Sequence, residues 1–240
     1  MSLPEACTDI RALGLSWYYN WWTDPQCPDI PVPFVPMVWG DWCLETTNCA
    51  PLPALLAGSR DEPLLAFNEP DNPVQANMTV ERALQLWPSL EATGRRLGSP
   101  AVRYDANGVA WLDAFLAGAR KGGLRVDFLA LHWYGDCGAP TTLTDYLAHM
   151  SKYGLPIWLT EISCHYQSLD VNVRFAEQIG ALLAPISYVE RVAWFTNRPY
   201  PDGYESTALL DQSGALTPVG TQYAALPAYR DRAGRLVSHP

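Results

Sequence analysis

What most limits the fold of this chain is a repeated change of hydrophobic period. Short apolar runs alternate with longer stretches patterned every three to four residues. The runs are Gly14 to Trp22 (GLSWYYNWW), Phe34 to Trp39 (FVPMVW), Leu64 to Asn68 (LLAFN), Pro100 to Tyr104, Phe128 to Tyr134 (FLALHWY), Pro156 to Thr160 (PIWLT) and Arg191 to Thr196 (RVAWFT). A short strand and turn is expected at Ala208 to Leu210. Between the runs, Thr79 can cap a helix reaching Leu97, with Ala83, Trp87, Leu90, Gly94 and Leu97 on one face. Pro88 should kink it and Gly98-Ser99-Pro100 should end it. Further helices are expected over Val109 to Arg120, Thr142 to Tyr153 and Asn172 to Leu183. Strand followed by helix, repeated, is the pattern of a parallel sheet, and unbroken apolar strands suit a sheet covered on both faces. No linker and no internal repeat interrupts the 240 residues. The pattern predicts one α/β domain over residues 1–240, a single (β/α)8 TIM-type barrel. A doubly wound open sheet ranks second, because no Gly-rich nucleotide loop supports it.

Charge narrows the ligand. Sixteen Lys and Arg stand against 25 Asp and Glu, a net charge of −9. Nucleic acid, whose binding runs on basic residues and counterion release, is excluded as a partner, and an anionic membrane surface is disfavoured for the same reason. No apolar run is long enough to span a bilayer. Met1 to Glu5 shows no charged n-region or apolar h-region. The expected partner is a neutral ligand, bound by a monomer. Six cysteines without a CxxC pair argue against zinc and for disulfides in a secreted or extracytoplasmic protein. Six cysteines allow fifteen pairings. Cys137 and Cys164 each follow a strand end, which suits a bridge bracing a site rim. No metal or cofactor motif occurs, nor a Ser nucleophile elbow.

In a barrel of this kind the site lies on loops after the strand ends. Polar and aromatic residues gather there: Tyr18-Tyr19-Asn20-Trp21, Trp39-Gly40-Asp41, Asn68-Glu69, His132-Trp133-Tyr134, Thr160-Glu161 and Trp194-Phe195-Thr196. Ten Trp in one chain exceed what a core needs, since each buried indole N–H wants a partner. Seven of them (Trp17, Trp21, Trp22, Trp39, Trp42, Trp133 and Trp194) are expected near one groove. Trp87, Trp111 and Trp158 are read as packing residues. Rings that stack on sugar C–H faces, beside groups that bond hydroxyls, are what a carbohydrate site requires. Glu69 and Glu161 each close an uncharged run, where a carboxylate costs energy unless paired or working. Two such groups are what glycoside hydrolysis needs: one acid, and one carboxylate to attack or to activate water. Asp71 is read as a turn residue, and His149 and His165 as surface or packing residues.

Phe34 to Gly40 (FVPMVWG), Leu64 to Asp71 (LLAFNEPD), Leu131 to Tyr134 (LHWY) and Trp158 to Glu161 (WLTE) together resemble glycoside hydrolase family 128. This family of β-1,3-glucan-cleaving enzymes and related cell-wall proteins lies in the retaining (β/α)8 clan. The resemblance implies Glu69 as acid/base and Glu161 as nucleophile. It implies Asn68 on the 2-hydroxyl, Tyr134 on the nucleophile, His132 orienting carboxylate or sugar, and Trp194 as floor of the reacting ring. Trp39, Tyr18, Asn20 and Trp133 are further subsite candidates. Adjacent strand residues face opposite ways, so Asn68 and Glu69 can share a face only if the strand end is irregular, which Pro70 permits.

The implied activity is a retaining endo-β-1,3-glucanase with no cofactor. Its partner would be a neutral β-glucan. A β-glycanase of another linkage and a catalytically weak β-glucan-binding protein are the alternatives. Glu69 should carry a raised pKa from burial and from the charge of Glu161. Retention calls for carboxyls about 5–5.5 Å apart. In the clan the two glutamates sit on the fourth and seventh strands. Here they read as third and sixth, so one short early strand is expected near Asp29 to Val32. Whether loops such as Cys43 to Cys49 block the groove would decide endo against exo action.

Overall fold

Six of the apolar runs form strands in the computed structural model, which describes residues 6–45, 55, 61–226, 229–230 and 236–237. In chain order the elements are α1 (Ala6–Leu13), β1 (Met37–Val38), α2 (Trp42–Glu45), β2 (Leu64–Asn68), α3 (Val80–Glu91), β3 (Leu97–Ala101) and α4 (Ala106–Gly122). There follow β4 (Leu129–Trp133), α5 (Thr141–Met150), β5 (Ile157–Ile162), α6 (Leu169–Leu183), β6 (Val189–Trp194), α7 (Pro218–Ala224), β7 (Tyr229–Arg230) and β8 (Leu236–Val237). The sheets run β1-β2-β3 and β4-β5-β6, with a separate β7-β8 hairpin. This is an α/β fold with parallel sheets. An eight-strand closure is not among these pairings.

The chain divides into two compact units. One comprises residues 19–25 and 33–132. Its centre is β2, which pairs in parallel with β1 and β3 and is buried at all five positions. Bridges Gly98↔Phe128 and Val102↔Leu131 continue the parallel pairing into β4. Thr79 caps α3 by accepting the Arg82 N–H, and Asp105 caps α4 by accepting the Gly108 N–H. Trp87 on α3 is fully buried, meets Phe115 of α4 edge-on at 4.8 Å, and donates its indole N–H to the Arg125 carbonyl. Trp111 stacks on Phe115 and donates to the Met78 carbonyl. Both are packing residues, as their helix stripe implies.

The helix expected to reach Leu97 stops at Glu91. Gly94, at φ +72°, turns the chain through a left-handed conformation, and Leu97 to Ala101 become a fully buried strand. Gly94 and Leu97 match helical spacing only by coincidence. Pairing against β2 decides the conformation of this segment.

The other unit comprises residues 1–18, 26–32 and 133–240. Here β5 and β6 pair in parallel, and the register slips between Leu159 and Ile162, around Thr160-Glu161. Trp158 is buried in β5 against Trp17, with the Arg191 guanidinium over both rings and Glu190 accepting its indole N–H. The early chain corrects two expectations. Gly14 to Trp22 forms no strand beyond a bridge residue at Tyr18, and Asp29 to Val32 forms none. Trp21 adopts φ +59°, which no strand accommodates. Ile10, Cys27 and Ile30 instead make a small core beside the Cys7–Cys27 disulfide.

Candidate active site

Glu69 follows directly on β2. Phe67 (φ +54°) and Glu69 (φ +42°) are both left-handed, and the β2–β3 register shifts twice. Left-handed backbone costs an ordinary residue about 1–2 kcal/mol, so this strand end is held by its surroundings. Four backbone bonds hold it: Asn68 N–H to Trp39 O, Glu69 N–H to Ala101 O, Ala76 N–H to Asn68 O, and Met78 N–H to Pro70 O. The alternation that would put Asn68 and Glu69 on opposite faces is thereby broken.

Both Glu69 carboxylate oxygens are engaged. Asn72 Nδ2 donates to Oε2 at 2.8 Å, and His132 Nδ1 lies 3.0 Å from Oε1. Asn68 is buried and donates from Nδ2 to Gln75 Oε1 at 3.2 Å. Asp71 accepts the Arg103 backbone N–H and Nε, clamping the loop behind Glu69. Burial alone would raise the Glu69 pKa. The hydrogen bond and charge of a protonated His132, the bond from Asn72 and the charge of Arg103 outweigh it, so the carboxyl titrates below its usual range. This overturns the expected rise. Hydrogen bonds to the carboxylate and nearby positive charge together outweigh the loss of water.

Glu161 lies in β5 at the register slip, buried, and accepts the Tyr134 hydroxyl. Tyr134 is itself set in rings, 5.6 Å from Tyr204, 6.1 Å from Phe195 and 6.2 Å from His165. Trp194 ends β6 and is 8% exposed. Its indole N–H donates to the Thr207 carbonyl, and its ring packs against Phe175 and Tyr223. The loops after β4 and β5 are joined by the Cys137–Cys164 disulfide, closing 27 residues. Cys137→Ser should cost about 3 kcal/mol through unfolded-chain entropy, lowering Tm by roughly 6–12 °C. Calorimetry of the variant beside wild type checks this.

The other candidates separate. Trp39 is half-buried, 6.0 Å from Trp42, which in turn lies 5.9 Å from Trp22. These three make a partly exposed aromatic group in the same unit as Glu69. Asn20 holds its own turn, donating to Asp24 O and accepting the Trp22 N–H. Tyr18 packs on the Ile10–Cys27–Ile30 core, and burial raises its phenol pKa. Trp133 is corrected. It is fully buried and stacked on Phe175 at 5.5 Å, so it offers no face to a sugar. Trp17, also buried, leaves the groove set for the same reason. Asn72, Gln75 and Arg103 escaped sequence reasoning. Asn72 sits three residues past Glu69 in a turn, a spacing that could have exposed it. Arg103 is distant in sequence and carried no signal. Among the described residues no cluster of His, Cys, Asp and Glu could hold a metal.

Each glutamate is engaged within its own unit, Glu69 by Asn72 and His132 and Glu161 by Tyr134. Comparison with known proteins gives the class. The family model described as the glycosyl hydrolase catalytic core matches residues 4–223. A subgroup I endo-β-1,3-glucanase of Amycolatopsis mediterranei, solved with laminaritriose, is 38% identical with a TM-score of 0.80, covering 94% of this chain and 96% of that one. A subgroup III curdlan-specific exo-β-1,3-glucanase of Blastomyces gilchristii, solved with glucose, is 33% identical with a TM-score of 0.77, covering 94% and 95%. Alkali-sensitive linkage protein 1 of Schizosaccharomyces pombe is 32% identical over 227 residues, 88% of this chain and 40% of that protein. This chain thus spans about two fifths of the length of that relative. The chain belongs to the glycosyl hydrolases and, within them, to glycoside hydrolase family 128.

Proposed function

We propose that this protein is a retaining endo-β-1,3-glucanase that cleaves laminarin-type glucan by double displacement. A single (β/α)8 barrel over residues 1–240 would carry the site. The observation behind the reading is the pair of positioned glutamates in a chain matched almost end to end by a β-1,3-glucanase solved with laminaritriose. Variants of that enzyme with either of two glutamates replaced are also solved with laminari-oligosaccharides bound.

Glu161 attacks the anomeric carbon, and Glu69 protonates the departing glycosidic oxygen. A glycosyl ester forms on Glu161. Glu69, now a carboxylate, takes a proton from water, which attacks the same carbon and releases Glu161. The Tyr134 hydroxyl stabilises the charge on Glu161 before attack. In the uncomplexed protein Glu69 favours its ionised form beside His132. A proton on Oε1, 3.0 Å from His132 Nδ1, arms the acid. Asn68 bonds the 2-hydroxyl. Trp194 and Trp39 present ring edges or faces to the glucan.

The enzyme acts as a monomer on a neutral polymer outside the cytoplasm, a reading supported by the Cys7–Cys27 and Cys137–Cys164 bridges. Among the described residues no helix is long and apolar enough to cross a membrane. Product analysis across laminarin, curdlan, cellulose and mixed-linkage glucan tests the reading. Laminarin should yield a ladder of oligosaccharides whose anomeric configuration, followed by NMR, is β at release. Glucose as the first product would show exo action, α-configured product would remove retention, and preferential cleavage of cellulose would remove the linkage. Binding without cutting would make the protein a glucan-binding module. The Cys43 to Cys49 loop extends outside the described residues, so this experiment alone decides endo against exo.

A further inference from the structure

Tyr166 combines three properties rarely found together. It is 73% exposed, it is a bulky aromatic at φ +56°, and its ring is built into a stack. A left-handed aromatic costs free energy and persists only where neighbours over-determine it. Here they do. The Tyr166 N–H donates to the Gly203 carbonyl at 3.0 Å, and His165 Nε2 lies 2.9 Å from the Asp202 carbonyl. His165 is sandwiched, 3.8 Å from Tyr166 and 4.1 Å from Tyr204, the latter nearly parallel. Gly203 is required: a Cβ there would fall 2.2 Å from the Tyr166 ring. The Cys137–Cys164 bridge anchors the loop one residue before His165.

One face of the Tyr166 ring is therefore fixed on His165, while the side chain as a whole stays open to water. Burial does not explain this cost, since the residue is not buried. The stack continues inward, through His165 and Tyr204, to Tyr134, whose hydroxyl bonds Glu161. Tyr200, 45% exposed, stands 6.1 Å from Tyr204 on the same side. A rigid, uncharged aromatic face continuous with a carboxylate site matches the C–H face of a pyranose better than any charged ligand.

We propose that Tyr166 is the stacking platform of an outer subsite that takes a neutral β-linked glucose residue of the chain cleaved at Glu161. This rests on the glucanase reading above. The subsite lies beyond the reacting sugar, so it serves long chains and not short ones. Tyr166→Ala should lower kcat/KM on laminarihexaose about ten-fold and leave laminaritriose unchanged, with Tm held; Tyr166→Phe, which keeps the ring, should stay within about two-fold on both. Tyr166→Gly removes ring and left-handed cost together, so it should keep or raise Tm while losing the preference for the longer chain. Equal rates for Tyr166→Ala and wild type on laminarihexaose would overturn the subsite, as would equal losses on both lengths. Titration of laminarihexaose into Glu161→Ala, with and without Tyr166→Ala, reads the same contact without turnover. Weakening of about ten-fold supports the proposal and unchanged binding overturns it. A wild type that cuts β-1,3-glucan while Tyr166→Ala matches it removes the subsite alone. A wild type that neither cuts nor binds any β-1,3-glucan removes both readings.

Discussion

Glu161→Ala is expected to lower laminarin hydrolysis by at least about 10⁴-fold while leaving the protein folded and able to bind laminari-oligosaccharides. Tyr134, the hydrogen-bond partner of Glu161, is a phenol among rings at Tyr204, Phe195 and His165. Truncation removes a buried charge and leaves one hydroxyl without its acceptor, so stability should change by no more than about 1–3 kcal/mol. External azide should restore turnover to Glu161→Ala and release a glycosyl azide of α configuration. Single displacement on the face opposite the leaving group inverts the centre. Wild-type rates in this variant, or azide product of β configuration, would remove Glu161 as nucleophile.

Glu69→Gln should cost about 10²–10⁴-fold on laminarin, the range for loss of a general acid. The deficit should shrink sharply on an aryl laminarioside with an acidic phenol, because that leaving group departs without protonation. The amide keeps the carboxylate's shape, so the fold should persist; its oxygen can accept from Asn72 Nδ2 while its NH2 faces His132 Nδ1, which must then accept. The same variant reports on electrostatics. The Glu69 carboxyl titrates below its unfolded value, so its contribution to stability is complete above the unfolded carboxyl pKa and is lost as pH falls through the folded one. Removing the charge removes that contribution. The acid limb of Tm against pH should become shallower in Glu69→Gln than in wild type, with the curves closing at the lowest pH. Parallel limbs would mean that Glu69 is not the carboxyl held down by His132.

These effects test residues of different legibility. Glu69 and Glu161 were visible because each ends an uncharged run, and burial of a lone carboxylate needs a reason. Family likeness supplied their roles and the Tyr134 contact. Trp133 was misread because a residue at the end of an apolar run can point either way. Its full burial on Phe175 depends on α6, 42 residues later. Tyr166, read as nothing in particular, became notable only through its φ and its exposure, neither of which sequence reports.

Hydrophobic period by itself determined the α/β class, the strand–helix alternation and five of the strand positions closely, and the Thr79 cap was legible beside them. These depend on local backbone preference and on which face is apolar, both written in consecutive residues. Tertiary structure alone decided that Leu97 to Ala101 extends, that the end of β2 turns through left-handed Phe67 and Glu69, and that Glu69 sits beside the His132 imidazole. Each follows from groups far apart in the chain: β2 against β3, Ala101 O on the Glu69 N–H, and β4 delivering an imidazole to a loop 63 residues earlier. Long-range pairing can override local propensity, and the charge state of a carboxyl depends on what lies within a few ångströms, whatever its distance in sequence.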